Sequence, residues 1–107
     1  MNKQDRLLQE HKAVCDKLYE VYEQKNMAYG NSFGETFDDL GIISAVTRIS
    51  DKFNRLKKLT KNSDIPQGDE SISDTLPDLA NYAIMTYMDV MRDDKICSGI
   101  FEKLEKQ

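Results

Sequence analysis

The chain has no tryptophan, two prolines, five glycines and two cysteines in 107 residues. So little proline and glycine, spread thinly, excludes a turn-rich β fold and a flexible linker protein. The two cysteines, Cys15 and Cys97, stand far apart and in no metal-type spacing, so the sequence predicts two free thiols in a reducing compartment. No apolar run approaches the roughly 20 residues of a membrane span, and the polar opening "MNKQDRLLQEHK" has no signal-peptide core, so a cytoplasmic location is expected. Positive charge is also short. Fifteen Lys and Arg face nineteen Asp and Glu, a formal charge of -4, which argues against a protein held on duplex nucleic acid by its overall field. A small anion held by a local basic cluster remains open.

What is present is helix. Charged residues form 32% and hydrophobic residues 39% of the chain, the composition of one helix-rich domain spanning residues 1–107. Leu7, His11, Val14, Leu18, Val21 and Lys25 recur at helical spacing, widened by Cys15 and Tyr22, and predict a first helix from about Asp5 to Asn26. His11 reads as a histidine at the edge of the core. Ile42, Val46, Ile49, Phe53 and Leu56 predict a second helix from about Asp39 to Leu59, ending in the basic "RLKKLTKN". The segment "NSDIPQGDES" breaks the pattern as a turn. Leu76, Leu79, Ala80, Ala83, Tyr87 and Val90 then predict a third helix to about Met91, starting at Ser73 or Asp74 so that Pro77 falls in its tolerant first turn. Residues from about Asp94 to Lys106 predict a short fourth helix through Ile96, Ile100, Phe101 and Leu104. Strand patterns are absent. The fold expected is an all-α bundle of three long helices and a short C-terminal one.

Between the first two helices lies "YGNSFGETFDDLG", residues 29 to 41, longer and richer in aromatics than a bundle connection requires. As a loop it has two readings. Its aromatics cap the bundle, or it closes over a ligand.

Two further stripes are polar. At about 100° per residue, Ser44, Arg48, Asp51 and Arg55 line the side of the second helix opposite its apolar residues, and Asp74, Asp78, Asn81 and Met85 do the same on the third, with Glu70 a turn earlier. Either these are solvated faces with ordinary ion pairs, or their carboxylates converge on a hard divalent cation such as Mg²⁺ while Arg48, Lys52 and Arg55 neutralise a ligand's phosphates. Met85, Met88 and Met91, spaced by three, read as packing or subunit contact.

Three blocks, "KNMAYGNSF", "RISDKFNRLKKL" and "DESISDTLPDLANYAIM", together covering most of Lys25 to Met85, resemble the nucleotide modification associated family of small all-α proteins from bacteriophages and bacteria. That family is similar in turn to the MazG and all-α dUTPase type of nucleotide pyrophosphatase. The resemblance implies a MazG-like helical bundle, completed as a homo-oligomer, with a nucleotide site between helices. It implies Mg²⁺ as cofactor, held by a Glu-x-x-Glu pair and a second acidic pair. Asp74 and Asp78 match the second pair, whereas the face expected to carry the first reads Arg48, Ile49, Ser50, Asp51.

The metal shell expected is therefore Asp51, Glu70, Asp74 and Asp78. The nucleotide would meet Lys25, Arg48, Lys52, Arg55 and Asn81, with Tyr29 and Phe33 stacking on the base, Asn31 and Ser32 bonding its edge or a sugar, and Gly30 and Gly34 letting backbone amides reach a phosphate. Two functions follow. One is Mg²⁺-dependent nucleotide pyrophosphohydrolysis; the other is non-catalytic binding that sequesters a nucleotide or a nucleotide signal.

Overall fold

The computed structural model describes residues 2–61 and 71–93, and these are all-α. Four helices follow in order: α1 (Lys3–Tyr29), α2 (Ser32–Leu40), α3 (Ile42–Lys61) and α4 (Ile72–Asp93). None of these helices is long and apolar enough to cross a membrane. Residues 62–70, where a turn was expected, the predicted C-terminal helix and Cys97 lie outside the described residues.

The chain divides into two compact units, α1 in one and α2 to α4 in the other. In the first, the side chain of Asn2 accepts a hydrogen bond from the Asp5 amide at 2.8 Å and so caps the start of α1. At the other end Gly30, at φ 70°, donates its amide to the Asn26 carbonyl at 2.7 Å. A left-handed residue at this place suits glycine and stops the helix. No residue of α1 is buried. His11 is exposed too, with its Nδ1 3.7 Å from Cys15 Sγ, rather than placed at a core edge.

In the second unit, residues 32 to 40 are helix where the sequence reading expected loop. The reason is local. Gly30 and Gly41 both take positive φ and act as punctuation, and between them Phe33 and Phe37 stand four apart on one face. Both rings are buried and form a cluster with Ala45 of α3, against which Tyr82 and Met85 of α4 pack. Gly41 receives a hydrogen bond at its carbonyl from the Ser44 hydroxyl at 2.9 Å, so α3 begins directly after it.

Pro77 is the sixth residue of α4, one or two residues deeper than expected. It cannot supply the amide hydrogen that the Ser73 carbonyl would otherwise accept. The start is instead fixed by a capping box. The Asp74 amide donates to the Ser71 hydroxyl oxygen at 3.2 Å, and the Ser71 amide donates back to the Asp74 carboxylate at 3.2 Å.

The helices of this unit turn a different face inward from the one their apolar periodicity marks. On α3 the buried residues are Ala45 and Leu59, with Ile49, Lys52, Arg55 and Leu56 half-buried, while Ile42, Val46 and Phe53 are exposed. On α4 Thr75, Asp89 and Met91 are buried and Asp78, Leu79 and Tyr82 half-buried, while Leu76, Tyr87 and Val90 are exposed. Part of each polar stripe, Ser44 and Arg55 on α3 and Asp78, Asn81 and Met85 on α4, is thus half-buried, while Arg48, Asp51 and Asp74 stay exposed. The apolar stripes border water, and on α4 Ala83, Ile84, Tyr87 and Met88 line a shallow groove of about 310 Å³.

Candidate functional site

The seam between α3 and α4 carries an unusual run of charge and aromatic rings. Lys52 comes to it because it stands seven residues beyond Ala45, the small buried residue where α3 meets α2, and so returns to nearly the same side of the helix, and Arg55 follows about a turn later. Across the seam Lys52 Nζ lies 3.1 Å from the Asp78 carboxylate, both side chains being mostly buried at 21% and 28% exposure. Each partner would cost more to bury alone than together. One turn back on α3, the Arg48 guanidinium stands 5.6 Å from the centre of the Phe33 ring, within cation–π range. Phe33 stacks on Tyr82 at 5.7 Å between ring centres and 15° between planes. A continuous set therefore runs from Arg48 through Phe33 to Tyr82, beside Lys52 and Asp78, with Arg55 and Asn81 half-buried on the same two helices. Such a set offers cationic and hydrogen-bonding groups to an anion.

The acids fare differently from the cations. Asp51 is exposed on α3. Asp74 holds the start of α4, where the Ser71 amide first and the Ser71 hydroxyl second keep its carboxyl below the usual aspartate range. Asp78 is paired with Lys52, and Glu70 lies outside the described residues. Among the described residues no three Asp, Glu, His or Cys side chains gather in a way that could hold a metal ion.

The remaining expected residues sort by unit. Phe33 is 93% buried, a core ring rather than an open platform for a base, and Ser32 opens α2 with its carbonyl accepting from the Thr36 hydroxyl at 2.9 Å. Lys25, Tyr29, Gly30 and Asn31 belong to the unit of α1. There Tyr29 is 78% exposed, and the Gly30 amide already serves the end of α1.

Residues 25–90 match the model of a family described as nucleotide modification associated domain 1. The chain belongs to that family. The match takes in all three sequence blocks on which the resemblance stood, and α3 and α4 as far as Val90. Comparison with curated proteins and with solved structures yields no match.

Sequence reasoning missed three members of this region. Ser71 had a readable signal, since Ser-x-x-Asp before a periodic run is a helix-start pattern. Tyr82 left no such signal, since its stacking partner sits 49 positions earlier and no local pattern joins them. Thr75, fully buried, donates its hydroxyl to the Ser71 carbonyl at 2.7 Å, which makes a polar residue fit a packed position.

Proposed function

We propose that this protein binds a nucleotide along the α3–α4 seam, with Arg48, Lys52 and Arg55 meeting its phosphates and Asn81 its polar edge. The observation that carries this reading is the Lys52–Asp78 pair. A lysine that already holds a carboxylate in a mostly buried, two-helix setting stands where an anion is bound without full hydration. Arg48, at the rim and against Phe33, adds a guanidinium able to take a phosphate in a two-pronged fashion. The family description, which associates this domain with nucleotide modification, supports a nucleotide as the anion.

Of the two functions expected, non-catalytic binding is the better supported. Among the expected metal ligands Asp74 caps a helix and Asp78 pairs with Lys52, roles that each would give up to hold a Mg²⁺ ion. No step is therefore assigned to a metal ion, and Mg²⁺ enters only as an ion carried by the nucleotide's own phosphates. The proposal includes a homo-oligomer, because the apolar stripes of α3 and α4 and the whole of α1 leave Ile42, Phe53, Tyr87 and Leu7 each at least half exposed.

The test is incubation with a panel of nucleotides, with and without Mg²⁺, followed by chromatography of the solution and of the protein-bound fraction. Retention of an unchanged nucleotide on the protein is the expected result. Product in the Mg²⁺ samples would replace binding by hydrolysis, and no retention and no product with any nucleotide would overturn the reading altogether.

A further inference from the structure

The geometry points to the Asp78 carboxylate as an internal stand-in for the ligand's phosphate, occupying on Lys52 the position that a phosphate oxygen takes when the ligand binds. This rests on the reading of the seam as a nucleotide site and adds to it the place and the chemical class of the group that enters. Asp78 Oδ2 is 3.1 Å from Lys52 Nζ, a charge-assisted contact of the kind a phosphate oxygen would make. Carboxylate and phosphate oxygens are both anionic acceptors, and an ammonium is a point charge with no preference of shape between them. The pair bridges two helices, and both side chains remain partly open, at 21% and 28%, so an incoming anion can reach Lys52 and a displaced Asp78 can turn toward water. Charge supports the exchange in the same direction. The ligand's phosphate brings more negative charge than one carboxylate and meets Arg48 and Arg55, which share the packed or rim side of α3 with Lys52. Asp78 then acts as a built-in competitor. In the free protein it keeps a buried lysine paired, and it weakens ligand binding by the strength of that pairing.

The consequence is opposite in sign to that of a metal-ligating or directly bonding aspartate. Asp78→Asn keeps the shape of the side chain, removes its charge and should tighten binding of inorganic pyrophosphate, measured by calorimetry in chelator, by roughly threefold to tenfold, the scale of a partly exposed ion pair. In a Lys52→Met background the same substitution should change nothing, which closes a double-mutant cycle. As a measurement that needs no variant to fold, the carboxyl carbon resonance of Asp78 in the wild-type protein should shift along the same saturation curve as the calorimetric heat. Wild-type binding that Asp78→Asn leaves unchanged or weakens, or an Asp78 resonance that stays fixed while pyrophosphate binds, overturns the stand-in role alone. Absence of binding to both wild type and Asp78→Asn overturns the nucleotide reading beneath it.

Discussion

Replacing Phe33 by alanine separates a core role from a ligand role most sharply. The ring is 7% exposed, stacks on Tyr82 at 5.7 Å and carries Arg48 on its surface at 5.6 Å. Truncating a buried aromatic leaves a cavity and removes transfer energy, together about 3 to 5 kcal/mol. The stack and the cation–π contact, at about 0.5 to 1.5 and 0.5 to 1 kcal/mol, lie within that sum and place the expected loss in its upper half. A domain of this size has only about 5 to 15 kcal/mol to lose. With a urea slope of about 1 to 3 kcal/mol/M, the midpoint should fall by about 2 M, and the melting temperature by roughly 15 to 30 °C. Equilibrium unfolding in urea, followed by far-UV circular dichroism, is the assay. Phe33→Leu, which restores most of the volume without the ring, should recover more than half of the loss. A cost below about 1 kcal/mol for Phe33→Ala would refute the placement of this ring in the core and return the segment to the role of an open lid.

Ser71→Ala should lower stability by about 0.5 to 2 kcal/mol, because the hydroxyl that caps α4 is gone, and thermal melts will show it. Asp74→Asn should behave in a pH-dependent way. The folded state holds the Asp74 carboxyl below its ordinary range, so its contribution is complete above the unfolded-state pKa and is lost as pH falls through the lower folded-state value. The difference from wild type should therefore be widest near neutral pH and close in acid; a gap that widens in acid would contradict the sign. Light scattering at micromolar concentration should give a dimer or larger assembly. Tyr87→Glu, placed on the exposed stripe of α4, should shift that assembly toward monomer without loss of helix.

The helical class and three of the four described helices were legible from periodicity, because residues three and four apart share a face whatever that face meets. What lies opposite the face was not legible. Ile42, Val46 and Phe53 on α3, and Leu76, Tyr87 and Val90 on α4, belong to stripes that avoid water, yet within the described unit they are exposed while Lys52, Arg55, Asp78 and Asn81 are half-buried. Periodicity reports preference for burial, not the partner that provides it. The α2 helix escaped because glycines at 30 and 41 read as loop, although the Phe33 and Phe37 spacing between them was already helical. Pro77 was judged by its tolerance for a first turn, whereas Ser71 and Asp74 together set an earlier start. Of the site, the cationic side and Asp78 were found as types of residue at a spacing. That Lys52 holds Asp78 required the third dimension.

The central claim is that the α3–α4 seam binds a nucleotide through its cations, and one titration addresses it directly. Calorimetry in chelator, with the best-retained nucleotide from the panel, compares the wild type with Lys52→Met after melts have shown both to be folded. The account predicts saturable binding by the wild type and a loss of at least about tenfold in affinity for the variant, since a mostly buried charge-assisted phosphate contact contributes about 1.5 to 3 kcal/mol. Equal affinity in the two proteins would contradict it and place the nucleotide away from this seam.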